Sequence, residues 1–194
     1  MTPFRPFAAN IAWAAAIGGV AYGLFFVIIE NRGAAAALLM VGGILTALLL
    51  SGLARSVEAV HEVGARWAAL IGTIGAIGSA IHGGYDLANV IHPPDTNVLG
   101  LAGYPNSIDP RGLATFGLVG LSFLIVATLM ARSDRYPAGL ARVGQTLGIV
   151  MMVIYVGRLV ILDPTNPIVR VALAAGVISN TVFLGWLGNV WRRG

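Results

Sequence analysis

The chain contains no cysteine and no lysine, and charged residues make up only 10% of its 194 positions. Without cysteine there is no disulfide framework, no thiolate metal site and no thiol nucleophile. Without lysine there is no Schiff-base chemistry on a side-chain amine, a retinal linkage included. The shortage of charge excludes a soluble fold, because soluble domains carry about 25% charged residues. With 57% hydrophobic residues and a mean hydropathy of +0.84, too few polar side chains remain to cover a water-facing surface. The net charge of +4 comes from 12 arginines scattered between apolar runs. They form no basic stripe or motif of the kind that binds nucleic acid. The composition is that of a polytopic membrane protein.

Six apolar stretches are long enough to cross a hydrocarbon core, which takes about 20 helical residues. They lie near Pro6–Ile29, Ala34–Leu53, Trp67–Ile91, Gly112–Met130, Ala138–Leu162 and Ile168–Val190. Their Ala, Leu, Ile, Val and Gly content shows no alternation of polarity, so they read as helices and not as barrel strands. The expected fold is an all-α integral membrane protein, one bundle of six spans without an internal domain boundary. An inverted repeat of three plus three spans is arithmetically possible, but no residue correspondence between the halves supports one. The first apolar run is too long for a signal-peptide core and lacks a cleavage pattern, so it reads as a span. Gly18–Gly19 and Gly72–Gly75–Gly78 read as surfaces where helices approach closely. No strand–turn–helix setting makes them phosphate loops.

The connections agree with this division. Glu30-Asn31-Arg32-Gly33 reads as a tight turn, and His92-Pro93-Pro94-Asp95 ends the third span, since proline cannot continue a helix. Arg5, Arg55, Arg66, Arg132, Arg135, Arg142, Arg192 and Arg193 share one side of a six-span topology. Arg32, Arg111 and Arg170 lie on the other, and Arg158 lies within the fifth span. By the positive-inside rule both termini are then cytoplasmic. The long connection from His92 to Arg111 becomes extracytoplasmic, and an inner membrane is the expected location.

This orientation collects the intramembrane polar residues toward the outer face. His82, Asp86 and Asn89 share one face of the third span at helical spacings of four and three. Tyr155 and Arg158, three apart, share a face of the fifth, while Glu30 closes the first span and Asn180 lies near mid-membrane in the sixth. Arg158 requires an anion or several carbonyls, because an unpaired charge inside a bilayer costs at least ~2.5 kcal/mol. Asp86 and Asp163 are the candidate counter-ions, and an Asp86–Arg158 pair reads equally as a structural clasp or as part of a site. As a site, Asp86 and His82 are the candidate acid–base pair. Tyr155, Arg158, Asn89, Asn180 and Glu30 are the candidate ligand-binding residues. Glu58, His61 and Glu62 read as a solvated helical extension between the second and third spans. Trp13, Trp67, Trp186 and Trp191 read as interfacial anchors.

No cofactor is expected. Only His82 lies clearly within a span, and His92 sits about 280° further around the helix, so a bis-histidine haem has no second ligand. No compact zinc set occurs, and no metal site is expected. A serine–histidine hydrolase site on Gly78-Ser79-Ala80 and His82 would put serine and histidine on one helix, with alanine and not glycine after the serine.

The second half, from Asp109-Pro110-Arg111-Gly112 through Ala131-Arg132-Ser133-Asp134-Arg135-Tyr136-Pro137-Ala138-Gly139-Leu140 to the closing Leu184-Gly185-Trp186-Leu187-Gly188-Asn189-Val190-Trp191-Arg192-Arg193, resembles small polytopic bacterial inner-membrane proteins of unknown function. There an arginine and a proline five residues later open the connection between two late spans. The resemblance implies a bacterial inner-membrane bundle and assigns no activity.

Three functions fit the sequence. The first is binding or transport of a small, amphipathic or lipid-like molecule from the outer side. The second is an intramembrane enzyme doing acid–base chemistry on a lipid or isoprenoid, with Asp86 or Glu30 as proton donor, His82 as its partner and Tyr155 as orienter. The third is an accessory subunit of a membrane complex or a homo-oligomer. Membrane lipids are the expected surroundings, and nucleic acid is excluded as a partner.

Overall fold

Long runs of Ala, Leu, Ile and Val, with caps at their ends, fold into six helices. A computed structural model describes residues 4–93, 112–161 and 166–193. Within these, α1 is Phe4–Gly23, followed by a π-helical stretch Leu24–Ile28. Then come α2 (Arg32–Ser56) and α3 (Glu62–Ile91). A second π-helical stretch, Leu113–Leu118, leads into α4 (Val119–Met130). The chain ends with α5 (Ala138–Val160) and α6 (Pro167–Arg193). All six segments are long and apolar enough to cross a membrane, and no strand occurs among the described residues.

The helices overrun several hydropathy boundaries because polar turns continue them. Asn31 Oδ1 accepts from the Ala34 backbone N–H at 2.9 Å, and His61 Nδ1 accepts from that of Gly64 at 2.9 Å. Each cap satisfies a donor that would otherwise be orphaned at the helix start. The first turn therefore lies at Ile29–Asn31, and Arg32 and Gly33 already belong to α2. Glu30 carries the reversal at φ 57°, the one non-glycine residue with positive φ among the described residues. The expected helical extension between the second and third spans is corrected in part, since Glu62 opens α3 while Glu58 and His61 lie outside the helices. Residues 57–60 form a turn that His61 terminates, and Arg66 bridges Glu58 (3.0 Å) and Glu62 (2.5 Å) at the exposed surface.

Each helix packs on its predecessor and successor, and α6 returns to α1, so the six form a ring in chain order. Two seams are closest. A Cβ on Gly43 would lie 2.5 Å from Ala80 N and 2.6 Å from Ala76 O across the α2–α3 seam. One on Gly148 would lie 2.7 Å from Leu124 N and 2.8 Å from Gly120 O across α4–α5. Side-chain-free positions let backbones meet here, which is how apolar helices associate without a hydrophobic drive. Gly75 plays its expected packing part, since a Cβ there would lie 2.9 Å from Ala114 O and from Leu118 Cβ. Gly18 does not, because a Cβ on it would meet nothing within 4 Å.

Among the described residues the ring is packed most tightly at one end. Toward the termini, Leu50, Leu53, Val126, Met130, Leu140 and Leu187 are fully buried, and Phe123 meets Phe183 edge-on at 5.7 Å. A hydrogen-bonded plug closes this end: Tyr136 Oη pairs with Ser56 Oγ at 2.6 Å and accepts from Trp191 Nε1 at 3.2 Å. Trp191 is thus 9% exposed and internal, a correction to its reading as an interfacial anchor. Trp67 and Trp186 do lie at the surface, 59% and 38% exposed. Trp13 packs against the glycine faces of Gly185 and Gly188 on α6.

Candidate functional site

Toward the opposite end the described residues enclose a cavity. Its mouth holds a chamber of about 560 Å³, within the ~300–1,000 Å³ typical of small-molecule sites. The face of α3 predicted from spacing lines this chamber with His82, Asp86 and Asn89, and α5 contributes Tyr155 and Arg158. The structure therefore brings together five of the seven candidate residues. Arg32, in the first turn of α2, joins them. Its place beside a turn gave no sign of an inward role.

Below lies a second, smaller chamber of about 170 Å³, lined by apolar side chains and glycines together with Thr46, Ser79, Thr115 and Asn180. The two chambers share Tyr22, Phe26, Leu39, Phe116, Ile154 and Leu173 as walls. From Arg32 to Thr46 along α2, the lining descends about 21 Å at ~1.5 Å per residue. Asn180 thus belongs to the deep chamber, apart from the other candidates. Glu30 is exposed in its turn and lines neither chamber. Asp163, the alternative counter-ion for Arg158, and most of the connection from His92 to Arg111 lie outside the described residues.

Both π-helical stretches border this lumen. Such widened turns are rare and recur at functional sites. In the second stretch, Thr115 Oγ1 meets His82 Nδ1 at 3.2 Å while Phe116 forms part of the wall between the chambers. In the first, Phe26 stacks on Tyr22 with ring centroids 5.4 Å apart. Nothing in the sequence marks a π-helical register, so neither Thr115 nor the paired aromatics were identifiable in advance.

Within the outer chamber, His82 Nε2 lies 3.4 Å from Asp86 Oδ2, one helical turn away. The histidine is thus held from both sides, by Thr115 and by Asp86, with its side chain 17% exposed and that of Asp86 40% exposed. Which ring nitrogen carries a proton is set by these two partners. Arg158 donates from Nη1 to Ile161 O at 2.8 Å, which anchors the guanidinium at the end of its own helix. Tyr155, Asn89 and, in the deep chamber, Asn180 bond no other described residue, so their polar atoms are available to a ligand. Among the described residues no group of three or more His, Asp or Glu side chains is arranged to hold a metal ion.

The glycines explain the deep chamber's shape. Added Cβ atoms on Gly18 and Gly42 would meet no atom within 4 Å, and both residues line the cavity. They hold space open, in contrast to neighbouring Gly43, which lets two backbones touch. The arrangement is an amphipathic lumen, charged at its mouth and apolar at its floor, with aromatic rings between. Comparison with protein-family models, with curated proteins and with solved structures finds no match.

Proposed function

We propose that this chain is a multi-pass inner-membrane protein, both termini cytoplasmic, whose outward-facing lumen binds or carries a small amphipathic molecule. One observation carries the reading: a chamber that holds charged side chains among apolar ones shares walls with a second chamber that holds none among the described residues. A molecule with a polar head and an apolar body matches that sequence of surfaces, whereas a small ion or a fully apolar compound matches only one part. The excess of arginines on the termini side, eight against three, supports the orientation. On that orientation the mouth opens at the extracytoplasmic face.

The test is native mass spectrometry of the protein purified in mild detergent, with extraction of bound lipid. A discrete amphipathic adduct on the wild type is the expected result. A protein that emerges without adduct under conditions that preserve other lipid complexes would refute the reading. The contact between His82 and Asp86 favours a second reading, acid–base catalysis on such a molecule, with Tyr155 orienting it. Chemical change of the extracted ligand on incubation with fresh protein separates enzyme from binder.

A further inference from the structure

We infer that the deep chamber recognises an uncharged oxygen group, a carbonyl or a hydroxyl, within the ligand's apolar body, and that Asn180 and Thr46 hydrogen-bond to it. The inference rests on the proposed amphipathic lumen and specifies what the ligand carries beyond its polar head.

A hydroxyl inside a helix can return to the backbone one turn earlier, which satisfies it within its own element. Ser51, Ser79, Thr128, Thr146, Ser179 and Thr181 all do so, donating to the carbonyl four residues back at 2.7–3.1 Å. Ser122 reaches across the bundle instead, to Ala68 O at 2.7 Å. Thr46 does neither. Among the described residues it is the one serine or threonine whose hydroxyl makes no hydrogen bond. Asn180, on α6, likewise bonds no other described residue. Both line the deep chamber. No fully buried side-chain nitrogen or oxygen lacks a partner among the described residues, so these two polar groups are accessible and not sealed in packing. A Cβ on Gly19 would lie 2.7 Å from Asn180 Nδ2. The missing side chain on α1 therefore makes the room that the amide occupies.

The chamber sets the size and charge of what these groups meet. Its volume of about 170 Å³ is close to the ~150 Å³ cavity that accepts one benzene ring, so it takes a chain end or a single ring. Its walls are largely residues such as Leu38, Leu147, Val177 and Leu184, with no charged side chain among the described residues. A charged group seated there would lack a counter-ion in low dielectric, so the recognised group is neutral. Asparagine and threonine each offer both a donor and an acceptor. A carbonyl can accept from either, and a hydroxyl can also donate. A purely hydrocarbon body would leave both polar groups unpaired, which costs free energy in apolar surroundings.

The experiment uses the full chain in neutral maltoside micelles. It compares the binding of decanoate with that of its 5-, 7- and 9-oxo and hydroxy derivatives, and decanol with the same derivatives of decanol. Keeping the head fixed within each series removes the charge of the mouth from the comparison. An indifferent apolar chamber would bind every oxygenated member more weakly than its parent, because burying an unpaired polar group is unfavourable. The expected result is the reverse at one position at least, with roughly tenfold tighter binding, equivalent to about 1.4 kcal/mol. The ranking of oxo against hydroxy at that position distinguishes carbonyl from hydroxyl. Asn180→Leu should abolish the preference and Thr46→Val should reduce it. Thr181→Val, a neighbouring hydroxyl that lines neither chamber, should leave it intact. Should Asn180→Leu fail to fold, Thr46→Val decides the point alone. Weaker binding of every oxygenated member in both series, or a preference unchanged by Asn180→Leu, would overturn this inference yet leave an amphipath-binding lumen. Absence of binding by every member of both series would overturn the lumen reading and this inference with it.

Discussion

Adjacent glycines on α2 make opposite predictions from the same substitution. Gly42 and Gly43 are one residue apart, hence about 100° apart around the helix, and face different surroundings. At Gly42 an added Cβ meets nothing within 4 Å and points to the deep chamber. Gly42→Leu should gain about 0.5–1 kcal/mol of helix preference and bury apolar surface contributing up to ~1.5–3 kcal/mol. The variant is expected to be at least as stable as the wild type while filling the chamber that receives the ligand's chain. At Gly43 the Cβ would stand 2.5 Å from Ala80 N and 2.6 Å from Ala76 O. These are backbone atoms of a neighbouring helix and cannot rotate away. Gly43→Leu must push α2 and α3 apart, at or beyond the ~1–3 kcal/mol usual for overpacking. Thermal unfolding in detergent measures the stabilities, and native mass spectrometry measures ligand retention. The expected outcome is a stable, ligand-free Gly42→Leu and a destabilised Gly43→Leu. Ligand retained by a well-folded Gly42→Leu, or a Gly43→Leu as stable as the wild type, would refute the reasoning.

Asp86→Asn should leave stability within about 1 kcal/mol, because the Asp86 side chain is 40% exposed and ion pairs at that exposure contribute little. The same substitution should alter ligand binding. A loss of about 3–5 kcal/mol, restored by adding Arg158→Gln, would instead identify a buried structural clasp. Tyr136→Phe removes the acceptor of Trp191 Nε1, so it should cost about 1–3 kcal/mol in a chemical or thermal melt. In a Trp191→Phe background the cost should shrink, and an unchanged cost would dissolve the proposed plug. Glu30→Gly relieves a left-handed backbone at φ 57° and should raise stability by up to ~1 kcal/mol without affecting binding. A loss of ligand there would return Glu30 to the site. For orientation, a cysteine at His92 should react with an impermeant maleimide in intact cells, and one at Ala131 only after permeabilisation. The reverse pattern would invert the topology.

The six long apolar helices were legible because length and composition are read directly from the sequence. The convergence of His82, Asp86, Asn89, Tyr155 and Arg158 on one chamber follows from helical spacing plus depth, both readable from sequence. Asn180 was at the right depth, but its assignment to the lower chamber needed the packing of α6 against Gly19. Arg32 was hidden by its place in a turn that proves to be the start of α2. Glycine is ambiguous in a membrane span, since the same residue serves contact at Gly43 and emptiness at Gly42. The Ser56–Tyr136–Trp191 plug joins residues 80 and 55 positions apart, a distance over which no local pattern operates.

The most direct test of an amphipathic lumen is photo-crosslinking with a decanoate analogue bearing a diazirine near its chain terminus, followed by peptide mapping. Adducts are expected on deep-chamber residues such as Leu147, Val177 and Leu184, and should disappear in Gly42→Leu. Adducts confined to exposed outward positions such as Val41, Ile74 and Val153, unchanged by Gly42→Leu, would show that the chain lies in the surrounding lipid and contradict the account.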